Sequence, residues 1–249
     1  RTARFRGRGW ALVPIGSIVV VVFAIRYLSD TATALTYLAL IAVPPLAAIA
    51  VAWAVLGPRP GERERVVAAV WAAAALFAVA WAWHGSLAGE AAAALLSALS
   101  CVTLGVLLGS VTPAGWLKLG IVAMAAADSW LVISDLLQAP NATLVAAHPP
   151  AGLPRLQGEI FGTVTMGYGD LFVAALLGAV LARDRRRQLT AAVLTFAVAA
   201  VFDLLFLVVA ELPATVPVAI VLIAMELRSR LSAARRPSLL AGAIPRQAR

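Results

Sequence analysis

Asp128 and Asp170 each lie in the middle of an apolar stretch long enough to cross a bilayer, and the second closes the tetrapeptide Gly167-Tyr168-Gly169-Asp170. A charged side chain at membrane mid-depth costs about 2.5–3.5 kcal/mol even on the mildest scale. It persists where it has work to do or a partner with which to share a proton. Two such acids point to a catalytic pair. Asp203, in Phe202-Asp203-Leu204, is a third acid at comparable depth, about 22 Å above Gln188 at ~1.5 Å per helical residue. Three carboxylates could instead form a proton or cation path in a transporter. Gly167 and Gly169 permit backbone angles and close approach that a side chain would block. Irregular backbone at this depth is tolerated where it borders protein or a water-filled cavity, and a hydrolase working in lipid needs such a cavity.

The elements that must position these residues are membrane helices. Hydrophobic residues make up 62% of the 249-residue chain and charged residues 13%; mean hydropathy is +0.94. This composition excludes a soluble globular domain. Apolar runs set against polar breaks predict an all-α, polytopic membrane bundle of about eight helices. The spans run over approximately 10–29, 33–57, 66–87, 90–111, 115–138, 161–182, 189–211 and 213–227. They divide into an N-terminal four-helix part (1–114), a four-helix part bearing the acids (115–227) and a basic tail (228–249) within one integral domain. The first apolar run is too long for a signal peptide and lacks a clear cleavage site, so a retained helix is expected. Cys101 lies inside an apolar run and reads as a buried, inert thiol. With only His84 and His148 available, both in expected loops, no metal site is expected, and nothing in the chain implies a cofactor.

Basic residues cluster at alternate span ends, and all but Arg26 and Arg155 of the 20 Lys and Arg residues fall on one side. The positive-inside rule then puts both termini in the cytoplasm. Topology and anionic headgroups account for the net charge of +8, so a lipid bilayer is the expected partner of these charges and nucleic acid is not. Arg-heavy, Lys-poor usage with abundant Ala suggests a high-GC prokaryote, hence its cytoplasmic (inner) membrane.

Thr165-Met166-Gly167-Tyr168-Gly169-Asp170 resembles a potassium-channel selectivity filter, but such a filter is followed by a full inner helix. Here Leu171 to Ala182 precede Arg183, which is about 18 Å of helix against a hydrocarbon core of about 30 Å. The motif is therefore expected on the span itself. There, Gly167-Tyr168-Gly169-Asp170-Leu171-Phe172 resembles the second catalytic motif of the Gly-x-Gly-Asp intramembrane aspartyl proteases, the presenilin and signal peptide peptidase family. Asp128-Ser129-Trp130-Leu131-Val132 is similar to the family's first motif, with Ala127 where the family carries tyrosine. Pro213-Ala214-Thr215 resembles its third, Pro-Ala-Leu, with Thr215 in place of leucine. The resemblance covers about 115–227, with four spans before it where the family has five.

Depth supports the pairing. Asp170 lies about 20 Å up a helix from Arg183, and Asp128 about 15–20 Å above the edge at Gly115 and Lys118. Asp135, the runner-up to Asp128 for the first acid, would lie near the outer interface, on the same helical face as Asp128.

The resemblance implies hydrolysis of a peptide bond in a transmembrane peptide or protein substrate, with Asp128 and Asp170 sharing one proton, one activating water and the other hydrogen-bonding the scissile carbonyl. It implies substrate contact by Gly167, Tyr168, Gly169, Pro213, Ala214 and Thr215. Pro213 and Pro217 lack backbone donors and would leave carbonyls free for an extended substrate. It also implies the orientation of signal peptide peptidase. A proton-coupled transporter and a non-catalytic relative that binds membrane helices are the alternative functions.

Overall fold

The computed structural model describes residues 16, 29–55, 62–136, 142–144, 146–147, 149–161, 164–209 and 212–241. Within them run seven long helices: α1 (Ser29–Val55), α2 (Glu62–Ala82), α3 (Leu87–Val111), α4 (Ala114–Ile133), α5 (Tyr168–Leu181), α6 (Arg185–Asp203) and α7 (Val216–Ala241). Apart from residues 16 and 29, the span expected at 10–29 lies outside the described residues, as does His148. Among the described residues four helices are long and apolar enough to cross a membrane: Asp30–Ala54, Leu87–Val111, Ala114–Ile133 and Arg185–Leu207. Val66–Ala82 and Tyr168–Leu181 are apolar but shorter. Large apolar side chains such as Ile41, Trp71, Ile133, Phe196 and Leu207 face outward, as expected where the solvent is hydrocarbon.

Local chemistry sets the helix ends. Gly85, at φ +76°, turns the chain between α2 and α3. Ser86 then caps α3 by accepting a hydrogen bond from the Gly89 amide. A Cβ at Gly89 would sit 2.2 Å from the Trp83 carbonyl oxygen, so this tight turn requires glycine. Pro113 stands at the start of α4, where the missing donor costs nothing. Asp184 caps α6, accepting from the Arg186 and Arg187 amides.

Packing falls into two apolar clusters. Val43, Ala47, Ala73, Ala80, Ala92 and Leu96 join α1, α2 and α3, with Leu156 from the loop and Tyr168 at the rim. Leu117, Ile121, Val173, Leu176, Val221 and Leu222 are among those joining α4, α5 and α7. Helix α3 unites the halves by packing along α5 as well as α1. Gly105 makes this possible, since a Cβ there would lie 3.0 Å from the Ala175 carbonyl oxygen. Small residues at such crossings let backbones approach where lipid supplies no hydrophobic drive to associate.

Three expectations are corrected. Residues 161 and 164–167 are not helical: Gly158–Phe161 (β1) pairs antiparallel with Val164–Gly167 (β2), in the register Gly158↔Gly167 to Phe161↔Val164. Ile160, Phe161, Val164 and Thr165 are β-branched or aromatic and favour a strand, and pairing satisfies backbone groups that a lone extended segment would leave open. Helix α5 thus begins at Tyr168 and is 14 residues long. The last helix starts at Val216 and continues past 227 to Ala241, through much of the expected tail.

Candidate functional site

Asp170 is the third residue of α5, and its Oδ2 accepts a hydrogen bond from the Gly167 amide, 3.0 Å away. An acid in the first turn both satisfies an open donor and meets the positive end of the helix dipole. Gly167 leaves room for this: a Cβ would lie 3.3 Å from Asp170 Oδ2. Around Gly169 nothing lies within 4 Å of a Cβ position, so the backbone there is open to an approaching chain.

Tyr168 is turned inward. Its hydroxyl pairs with Ser100 Oγ at 2.7 Å, its carbonyl accepts from Cys101 Sγ at 3.7 Å, and its amide donates to the Gln157 carbonyl at 3.4 Å. Ser100 in turn donates to the Ser97 carbonyl, and Ser97 Oγ to the Leu156 carbonyl. The Gly-Tyr-Gly-Asp segment is therefore fastened to α3 on one side. On the other, Gln157 Nε2 reaches Thr36 Oγ1 of α1 at 2.9 Å, ahead of the hairpin. Cys101 is buried, as its apolar surroundings lead one to expect.

Asp128 lies in the second half of α4, half-buried. Its Oδ2 accepts from Thr215 Oγ1 at 2.6 Å and from the Thr215 amide at 3.4 Å. Helix α4, which bears Asp128, packs against α5, which bears Asp170, and against α7. Asp128 and Thr215 thus meet directly, and Asp170 lies on the helix that packs beside them. Further along the same two helices a second polar rung joins α4 and α7, with Lys118 Nζ 2.6 Å from Glu226 Oε1 and an Arg187 nitrogen 3.9 Å from the same oxygen.

Other expected site residues fall elsewhere. Asp135 lies beyond the end of α4, exposed, with φ +54°. The turn at Ser134 breaks the helical spacing that would have put it on the face of Asp128. The Pro213 carbonyl is not free, since it accepts from the Val216 amide at 3.1 Å. Ala214 is exposed beside it in the turn before α7. Asp203 is exposed at the end of α6, and no hydrogen bond or ion pair joins it to Asp128 or Asp170. His84 sits in the α2–α3 turn against Gly152. Among the described residues no group of three or more His, Cys, Asp or Glu side chains could hold a metal ion.

Ser97 and Ser100 belong to no motif read from the sequence, and Cys101 reads there only as a buried thiol. Their signal is small polar residues three and four apart in an otherwise apolar helix, the pattern of a face that hydrogen-bonds another segment. Comparison with protein-family models, curated proteins and solved structures finds no match for the chain.

Proposed function

We propose that the protein is an intramembrane aspartyl protease that cleaves transmembrane peptides with Asp128 and Asp170. The observation that carries this reading is the packing of α4, which bears Asp128, against α5, which bears Asp170 in its first turn, bringing together helices whose acids are 42 positions apart in the sequence. Adjacent carboxylates resist double ionisation and hold one proton between them, which suits one to take a proton from water while the other donates to the substrate carbonyl. As the amine leaves, their roles exchange; no covalent intermediate and no cofactor is required. Further support comes from Gly169, whose open side can admit a substrate backbone, and from the hairpin that leads into the motif. An extended peptide can add to a strand edge through main-chain hydrogen bonds. The basic clusters at 183–187 and 228–236 favour a cytoplasmic location for those ends, in a prokaryotic inner membrane.

The test is cleavage of a transmembrane peptide by the purified protein in liposomes. Asp128→Asn and Asp170→Asn should each lower the rate by about 100-fold or more. Parental rates in either variant would refute the pairing. Peptide binding without any cleavage by the parent would identify a helix-binding protein instead.

A further inference from the structure

We infer that Thr215 is a positioning residue for Asp128, clamping one carboxylate oxygen so that the chemistry runs through the other; this rests on the protease reading above. Thr215 is 5% exposed, and both its hydroxyl and its amide reach the same atom, Asp128 Oδ2. An amide can only donate. The hydroxyl at 2.6 Å is short, in the range of a bond to a charged acceptor. A carboxylate oxygen offers about two lone-pair sites, and two donors fill them. Oδ2 is thereby unavailable to take a proton from water, and any proton carried by Asp128 resides on Oδ1. Oδ1 accepts no hydrogen bond from the described residues.

The clamp is only as good as the position of the turn that bears it, and two features fix that turn. Val218, Val221 and Leu222 on the first turns of α7 pack in the cluster with Ile121 and Met124 of α4. The Lys118–Glu226 pair, ten residues from Asp128 on α4 and eleven from Thr215 on α7, holds the same antiparallel register at the other end. The resemblance implies substrate contact by Thr215, and the structure directs its hydroxyl and amide at Asp128 Oδ2.

Three variants in liposomes with the transmembrane peptide decide the matter. Thr215→Val keeps shape and removes the hydroxyl donor, and should lower kcat about 10- to 100-fold, as expected for one hydrogen bond to a charged group. KM should stay within about twofold, since the interaction serves the chemical step. Thr215→Ser restores the donor and should return kcat to within about threefold of the parent. Thr215→Ala, which removes the donor without adding bulk, carries the expectation of Thr215→Val if that variant fails to fold. Asp128→Asn and Asp170→Asn are measured in the same preparation. If they lose cleavage while Thr215→Val keeps the parental kcat, or raises KM alone, the inference about Thr215 falls and the protease reading stands. If the parent does not cleave, or the Asn variants do, both fall.

Discussion

The bond between Tyr168 and Ser100 gives a prediction independent of catalysis, because its two ends are unequally satisfied. Ser100 Oγ has two partners, the Tyr168 hydroxyl at 2.7 Å and the Ser97 carbonyl at 2.7 Å. Tyr168 Oη has Ser100 as its partner. Tyr168→Phe therefore removes one bond and leaves Ser100 satisfied by Ser97, a loss of about 0.5–1.5 kcal/mol. Ser100→Ala removes the same bond together with the one to the Ser97 carbonyl, and strands a half-buried phenol against α3, where a lost partner costs about 1–3 kcal/mol. The double variant has no stranded group and should be no worse than Ser100→Ala, so the effects are not additive. The assay is reversible unfolding of the detergent-solubilised protein, run on both single variants and the double. Equal losses, a larger loss for Tyr168→Phe, or additive losses would refute the bonding pattern. Because Asp170 lies two residues beyond Tyr168, the same variants report whether this anchor also matters to the acid.

Gly105→Leu should destabilise by about 1–3 kcal/mol or more, since even a Cβ would press on the α5 backbone at Ala175 and moving α5 moves Asp170; parental stability in unfolding assays would show that the helices do not cross so closely. Lys118→Gln or Glu226→Gln should cost about 1 kcal/mol or less, because both side chains are near one-third exposed, and the loss should shrink in high salt. The charge-reversed double variant, Lys118→Glu with Glu226→Lys, should recover part of it in the same unfolding assay; no recovery would mean the pair is not formed.

The amino-acid sequence by itself determined the solvent and the element type: long apolar runs have one stable answer in lipid, the helix, because each residue can satisfy its backbone within the segment. It also marked Asp128 and Asp170, since acids in such runs stand out against their surroundings. Helix ends were legible to within a few residues where a local cue exists, as at Ser86, Pro113 and Asp184. What only the tertiary structure decided depends on groups distant in the chain. The sequence from 161 onward reads as part of an apolar run, yet strand pairing between 158–161 and 164–167 competes with helix, and the anchoring of the flanks to α1 and α3 settles the outcome. Asp135 lost its helical face to a turn that no local signal announced. The bond from Thr215 to Asp128 spans 87 positions. Spacing within one helix carries no information about the register between two, which side-chain packing sets once the helices meet.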